Sequence, residues 1–405
     1  MSDILRAAVV GMGGRGRSLL KTIHLIRDLK IVAICDILED RLQQGYEVLK
    51  ELGTEPDLYT DYRRIIDRGD IDLVYVVTNW ITHWEICIDF MNAGIYTACE
   101  VNGAASIDEC WELVRTYEKT KTPLMMLENC CYGRNELAVL NMVRQGVFGR
   151  VVYAECGYCH DLRAHITNMT HQRCNNNFLR NGDLYPTHGA GPMAKILNIN
   201  RGNRFLTLSA LSTPAFGVQD YLERHDPSHP LANPKNVQYA CGDVTTSLIK
   251  CAGGEVLMIR HNIALPRPYS RANLVQGTRA IYSEDCRGVH IDDVHEHGVW
   301  EEMEKIYRQY DHPLWQNYDP DRSDGHGGMD FLVMDAFAEA ARNRTEPPID
   351  VYDAAAWMAI TPLSEQSVAM GGAPQAFPDF TRGKWTQGRT VCGGKYCLDT
   401  EDVFF

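Results

Sequence analysis

The sequence predicts an α/β protein: an N-terminal Rossmann-type domain with a doubly wound parallel sheet, then a C-terminal α+β domain on an open, mostly antiparallel sheet. Three observations carry this. A short apolar strand, Leu5–Val10, runs straight into a glycine-rich turn and a helix. Apolar runs and helical segments alternate from there to about residue 127, the rhythm of βα units. Beyond that point strand-like runs follow one another without crossover helices, which favours antiparallel pairing. A chain of 405 residues exceeds one compact core. We therefore expect two domains, 1–127 and 128–405, with the C-terminal helical segment packing back on the first.

LRAAVV at Leu5–Val10 is a short apolar strand; after the turn Gly11-Met12-Gly13-Gly14-Arg15-Gly16 the stretch Arg17–Leu29 is helical. A second apolar run, Ile31–Cys35, stops at Asp36, and a third, Ile71–Val77, stops at Thr78-Asn79-Trp80. A helix at Trp84–Ala93 leads to a strand at Tyr96–Glu100, and a helix at Ile107–Lys119 leads to Pro123–Met126. In the second domain a helix over about Asn135–Gln145 precedes strands at Arg150–Gly157, Phe205–Leu211, Val244–Lys250 and Glu255–His261. A late helix, Met329–Ala341, follows Asp324-Gly325-His326-Gly327-Gly328. No repeat or low-complexity linker separates the halves, so an extensive domain interface is expected.

Composition narrows the function classes. With 45% hydrophobic and 23% charged residues, the chain is neither disordered nor fibrous. A formal charge of -13 without a lysine or arginine cluster argues against nucleic acid as a partner. No run approaches the length of a membrane helix, and the N-terminus has no basic region, apolar core or cleavage site of an export signal. A cytoplasmic location is expected. The 14 cysteines are scattered, and those in predicted strands, such as Cys35, Cys99 and Cys156, suit buried reduced thiols. Cys392 and Cys397 have the wrong spacing for a zinc knuckle, and adjacent Cys130 and Cys131 are poorly placed to ligate one ion together, so no metal site is expected.

The glycine-rich turn lies in the context that makes it informative: after a strand, at the start of a helix, with Asp36 twenty residues beyond Gly16 at the end of the next strand. Gly11 permits the tight turn, Gly13 lets the backbone approach a pyrophosphate, and Gly16 allows the helix close to the strand. The first N–H groups of the helix face the phosphates. Asp36 would accept hydrogen bonds from ribose hydroxyls and repel an added phosphate, which selects NAD over NADP. Trp80, His83 and Glu100 fall at successive carboxyl ends of strands, where a doubly wound sheet binds its ligand.

These residues resemble the Gfo/Idh/MocA family of NAD(P)-dependent oxidoreductases along the whole chain. Six further motifs, in order, resemble glycoside hydrolase family 109, whose characterised activity is α-N-acetylgalactosaminidase: Tyr132-Gly133-Arg134-Asn135, Gly157-Tyr158-Cys159-His160-Asp161, Tyr185-Pro186-Thr187-His188-Gly189, Asn198-Ile199-Asn200-Arg201-Gly202, Arg267-Pro268-Tyr269-Ser270 and Gly325-His326-Gly327-Gly328-Met329-Asp330-Phe331. The resemblance implies NAD contacts at Gly14, Arg15, Asp36, Trp80 to His83, Glu100, Val101, Asn129 and the Tyr185 to His188 segment. It implies sugar contacts at Tyr158, Arg173, Tyr185 and Tyr269, and a dimer or tetramer. Where the wider oxidoreductase family carries Glu-Lys-Pro with an acid/base lysine, this chain has Glu100-Val101-Asn102.

No carboxylate pair stands out among these motifs, so a redox-neutral route fits better: oxidation at sugar C3, loss of the acidified C2 proton with the C1 leaving group, water addition and re-reduction. His188 is the candidate base for the C3 hydroxyl, and Tyr185 would orient the sugar from the same face if the segment is helical. Tyr158 and Tyr269 would stack on the sugar or help move the C2 proton; Arg173 would bind hydroxyls or an acyl carbonyl. His160 and Asp161 receive no role. Two alternatives stay open: a sugar or inositol dehydrogenase that releases NADH, and a non-catalytic NAD- and sugar-binding sensor.

Overall fold

The computed structural model describes residues 4–233, 237–320, 325–387 and 394–399; Asp324 and Cys392 lie outside the described residues. The chain divides into two compact units that interleave in sequence. The first is Met1–Leu137 with His312–Ala355 and Thr390–Asp399, so far as these are described, and the second is Ala138–Asp311 with Ala356–Arg389.

Among the described residues the first unit is built on six parallel strands: β1 (Leu5–Val10), β2 (Leu29–Cys35), β3 (Asp57–Tyr59), β4 (Leu73–Val76), β5 (Tyr96–Cys99) and β6 (Leu124–Met126). Their order, β3-β2-β1-β4-β5-β6, is that of a doubly wound dinucleotide-binding sheet. Ala7, Ala8, Val9 and Val74 are wholly buried, because helices cover both faces of a parallel sheet and its central strands read as unbroken apolar runs. The run at Ile71–Val77, third in sequence reading, is the fourth strand. The three-residue edge strand β3 precedes it, with only Asp, Leu and Tyr and no period to detect. The first helix runs Gly14–His24, so it starts inside the glycine-rich turn. The helix expected from Trp84 spans Trp80–Asn92 and starts four residues earlier. The late helix Met329–Asn343 belongs to this unit. It lays Phe337 edge-on against Tyr75, ring centroids 5.3 Å apart, and accepts the Tyr75 hydroxyl at the Met334 carbonyl, 3.3 Å.

Among the described residues the second unit carries nine strands: β7 (Val151–Cys159), β8 (Phe205–Ser212), β9 (Val244–Cys251), β10 (Val256–Asn262), β11 (Leu274–Gly277), β12 (Ala280–Ser283), β13 (Gly288–Ile291), β14 (Glu301–Glu302) and β15 (Gln375–Ala376). The order is β14-β13-β12-β11-β7-β10-β9-β8-β15. Every pairing is antiparallel except β10 with β7. Buried and half-buried positions alternate along β10, the mark of a sheet with one covered face. The meander β11–β14 was not legible in sequence, since strands of two to four residues are too short to show a period.

The helix Thr187–Ile196 covers β7 closely. A Cβ on Gly189 would lie 2.7 Å from the Gly157 nitrogen and 2.8 Å from the Cys156 Cβ, so only glycine at this helix position permits this approach. The N-terminal turn of the helix is thereby pinned over the end of β7.

Candidate active site

In the first unit the glycine-rich turn has the shape that a dinucleotide needs. Gly11 has φ +105°, and a Cβ there would meet the Val77 carbonyl oxygen at 2.5 Å; a Cβ on Gly16 would stand 1.8 Å from the Gly11 oxygen. Both glycines are therefore obligatory. Gly13 and Gly14 instead face open space, leaving their backbone accessible where the helix begins. Asp36 follows β2 and accepts the Met12 N–H at 2.6 Å through one oxygen and the Leu38 N–H at 2.9 Å through the other. That ties the tip of the second strand to the turn, and each carboxylate oxygen keeps a second lone pair for a ribose hydroxyl. These residues fit an NAD molecule: a backbone cradle without side chains, a helix N-terminus and one acidic acceptor.

The other rim residues come together by different means. Trp80 opens its helix and is half-buried. His83, one turn on, is fully enclosed, with Nδ1 2.8 Å from the Asn102 carbonyl and Nε2 2.8 Å from the Thr78 carbonyl. Two acceptors facing both ring nitrogens favour the doubly protonated ring. Burial lowers its pKa, but the Cys99 sulfur and the two carbonyls outweigh it and lift His83 to about 9. His83 thus braces the loops after β4 and β5 as an imidazolium.

Glu100 accepts Arg15 Nε at 2.8 Å and the Val101 N–H at 2.9 Å. Val101 is buried. Arg15 completes its fork on Asp330, 2.7 and 2.9 Å from the two carboxylate oxygens, and Asn129 donates to the same carboxylate at 2.7 Å. Although burial opposes the charge on Asp330, the donors from Arg15 and His326 hold its carboxyl well below the ordinary range. Sequence reasoning assigned Asp330 no role. Its only signal was its place in the Gly325–Phe331 motif.

In the second unit one aromatic cluster gathers all five predicted substrate-side residues. Tyr158 is the penultimate residue of β7, and the Cys159–Ser270 bridge brings Tyr269 beside it. The ring of Tyr158 lies 4.4 Å from Tyr185, 5.5 Å from His188 and 6.2 Å from Tyr269; Tyr185 and His188 are 4.9 Å apart. The Arg173 guanidinium sits over two of these faces, 4.5 Å from the Tyr185 centroid and 5.3 Å from that of Tyr158, at cation–π distance. Tyr185 precedes the helix, which starts at Thr187, so it meets His188 through the turn at Pro186 and not through helical spacing. His160, left without a role in sequence, joins the cluster at 5.2 Å from Tyr269 and 6.0 Å from Tyr158.

Two buried ionisable groups lie beside this cluster. Asp183 gives one oxygen to the Tyr185 N–H at 3.1 Å, while its other oxygen has no hydrogen-bond partner. Burial raises its pKa to about 7, against a small lowering by that N–H. His261 on β10 pairs in register with Tyr158; neither of its ring nitrogens has a partner, and burial drives its pKa down to about 3. Neither was singled out in sequence, because burial and not local pattern sets their state.

Comparisons with known proteins agree with both halves. Residues 5–128 match the oxidoreductase family, NAD-binding Rossmann fold, and residues 132–387 match the glycosyl hydrolase 109 C-terminal domain. An alpha-N-acetylgalactosaminidase from Tannerella forsythia is 38% identical over 94% of this chain and 87% of its own. A glycosyl hydrolase family 109 protein from Solibacter usitatus is 39% identical over 94% and 89%. Among solved structures, a levoglucosan dehydrogenase in complex with NADH and levoglucosan shares the fold at a TM-score of 0.71 and 18% identity, covering 93% of this chain and all (100%) of the other. The chain belongs to glycosyl hydrolase family 109, with an NAD-binding Rossmann fold ahead of that family's C-terminal domain.

Proposed function

We propose that this protein is an NAD-dependent glycosidase that hydrolyses α-N-acetylgalactosaminides or closely related glycosides without net oxidation. The observation that carries the reading is the cluster of Tyr158, Tyr185, His188, Tyr269 and Arg173 in a chain whose other unit has a dinucleotide turn. The name of the Tannerella forsythia relative, aligned over nearly the whole chain, supports the choice of sugar.

Bound NAD supplies a hydride acceptor for sugar C3 that is restored within each turnover. The protein's own residues do the rest. His188 takes the proton of the C3 hydroxyl, a task suited to an imidazole near neutral pH. Tyr185, with its ring against His188, orients that hydroxyl. Tyr158 and Tyr269 offer apolar faces to the pyranose and phenol oxygens for moving the C2 proton. Arg173, seated on two of the rings, binds hydroxyls or the acyl carbonyl with its fork of donors. Gly11, Gly13, Gly14 and Gly16 shape the pyrophosphate cradle. Asp36 binds the ribose, and Trp80, His83, Glu100, Val101 and Asn129 form the rim. A cytoplasmic homo-oligomer belongs to the same proposal, to be checked by fractionation and by light scattering.

The test is to incubate purified protein with an aryl N-acetyl-α-galactosaminide, following aglycone release and nicotinamide absorbance together, with and without added NAD+. Aglycone release without lasting NADH is the expected result. Stoichiometric NADH without aglycone would identify a dehydrogenase, and silence on both channels with intact NAD binding would favour the sensor.

A further inference from the structure

Asp330 is a heavily hydrogen-bonded carboxylate of the first unit, and it lies in no strand-end loop. It is the second residue of the helix Met329–Asn343, its side chain is 1% exposed, and four donor atoms converge on it. Arg15 contributes Nη1 at 2.7 Å and Nη2 at 2.9 Å, Asn129 its amide at 2.7 Å, and His326 its Nδ1 at 2.9 Å. Four donors saturate the lone-pair positions of one carboxylate, so Asp330 has no capacity left for a ligand. Its partners are the informative part. Arg15 belongs to the glycine-rich turn after β1 and carries Glu100, at the end of β5, on its Nε at 2.8 Å. Asn129 opens the 3-10 turn after β6. One carboxylate therefore joins three separate strand-end loops, the loops on which a doubly wound sheet presents its dinucleotide.

The arrangement also decides what Arg15 does. A lone arginine in this turn would be a cation for the phosphates, but here three of its donor groups are spent on Glu100 and Asp330. Its charge is already answered by two carboxylates. Burying such a pair is costly and seldom adds net stability over apolar replacements, and fixing one geometry is a role that buried ion pairs can serve. The loop ahead of the helix supports this placement: Gly325, His326, Gly327 and Gly328 have φ of +70°, +44°, +66° and +100° in succession. A non-glycine residue at positive φ is strained, and in this loop it directs His326 onto Asp330.

We propose that Asp330 is a positioning residue of the cofactor site: by holding Arg15 and Asn129, and Glu100 through Arg15, it sets the separation of the loops that bind NAD, without touching NAD itself. The inference rests on NAD occupying the glycine-rich turn. It assigns to the C-terminal segment a part in cofactor affinity that the Rossmann sequence alone does not contain.

The test uses full-length protein freed of cofactor and titrated with NADH, read by energy transfer from tryptophan to the reduced nicotinamide, with the thermal midpoint of each apoprotein measured alongside. Asp330→Asn, Arg15→Met and the two combined are compared with wild type. The combined variant leaves neither member of the pair as a lone buried charge and guards against loss of fold in the single variants. Asp330→Asn is expected to weaken NADH binding on the order of ten- to a hundredfold, as for a misplacement of binding groups by a fraction of an ångström. In the Arg15→Met background the same change should add little, because the Arg15 fork is already gone and an amide oxygen at position 330 still accepts from Asn129. Wild-type affinity in the folded combined variant, or losses that simply add, would overturn the inference. Failure of wild-type protein to bind NADH would instead overturn the cofactor reading, and this inference with it.

Discussion

Asp183 gives the prediction whose size follows most directly from the structure. Its carboxyl is 1% exposed, one oxygen meets the Tyr185 N–H and the other meets no partner. The neighbouring titratable groups are the thiols of Cys156, Cys159 and Cys241, which supply no positive charge. Burial therefore raises the folded pKa from 3.8 to about 7. Between those values the folded chain keeps a proton that the unfolded chain has lost, so stability falls as pH rises, by about 1.4 kcal/mol per pH unit. Below 3.8 the group has no effect, and above about 7 the loss is complete, at roughly 4 kcal/mol. Asp183→Asn keeps the shape and the acceptor for Tyr185 and removes the titration. Thermal unfolding of wild type and variant should be compared at intervals from pH about 4 to about 8. The variant's advantage should grow across that range to about 4 kcal/mol, on the order of ten degrees in midpoint for a unit of this size. A difference that does not change with pH would exclude a protonated Asp183 in the folded chain, since every other titrating group is common to both proteins.

Three further outcomes are expected. His188→Ala abolishes aglycone release yet leaves NADH bound, because the pyrophosphate and ribose contacts lie on other residues; equal loss of both would make the histidine structural. Gly189→Ala places a methyl 2.7 Å from the Gly157 nitrogen, pushing the helix that bears His188 off β7. It should cost about 1–3 kcal/mol and lower turnover more than NADH affinity, as steady-state kinetics and calorimetry would show. His83→Gln loses the imidazolium that spans two carbonyls. Since the folded pKa is raised, its contribution is fully present below 6.5 and lost as pH rises through about 9. The stability gap between wild type and variant should therefore close over that window, and a gap constant with pH would exclude the charged ring.

The parts of this protein that depend on chain-local chemistry are legible in its residues. The strand Leu5–Val10, the glycine turn and the helix after it follow from steric rules within a few residues, although that helix, read as Arg17–Leu29, runs Gly14–His24 and Leu29 already opens β2. Alternating apolar runs likewise marked β7, β8, β9 and β10, because a half-covered sheet imprints a period of two. The family resemblance brought Tyr158, Arg173, Tyr185, His188 and Tyr269 under one heading but said nothing of their distances. Only the folded chain seats Arg173 on two ring faces and adds His160 to the group. The short strands β11 to β15 are too brief to carry a period, and they form because neighbours across the sheet complete their hydrogen bonds. Tertiary structure alone decided the states of the ionisable groups. Asp183, His83, His261 and Asp330 are ordinary residues in the sequence, and burial, facing carbonyls or a guanidinium fork from a helix more than 300 residues away gives each a different protonation state. Desolvation and charge pairing act through space, and a linear pattern does not encode which distant groups will share an interior.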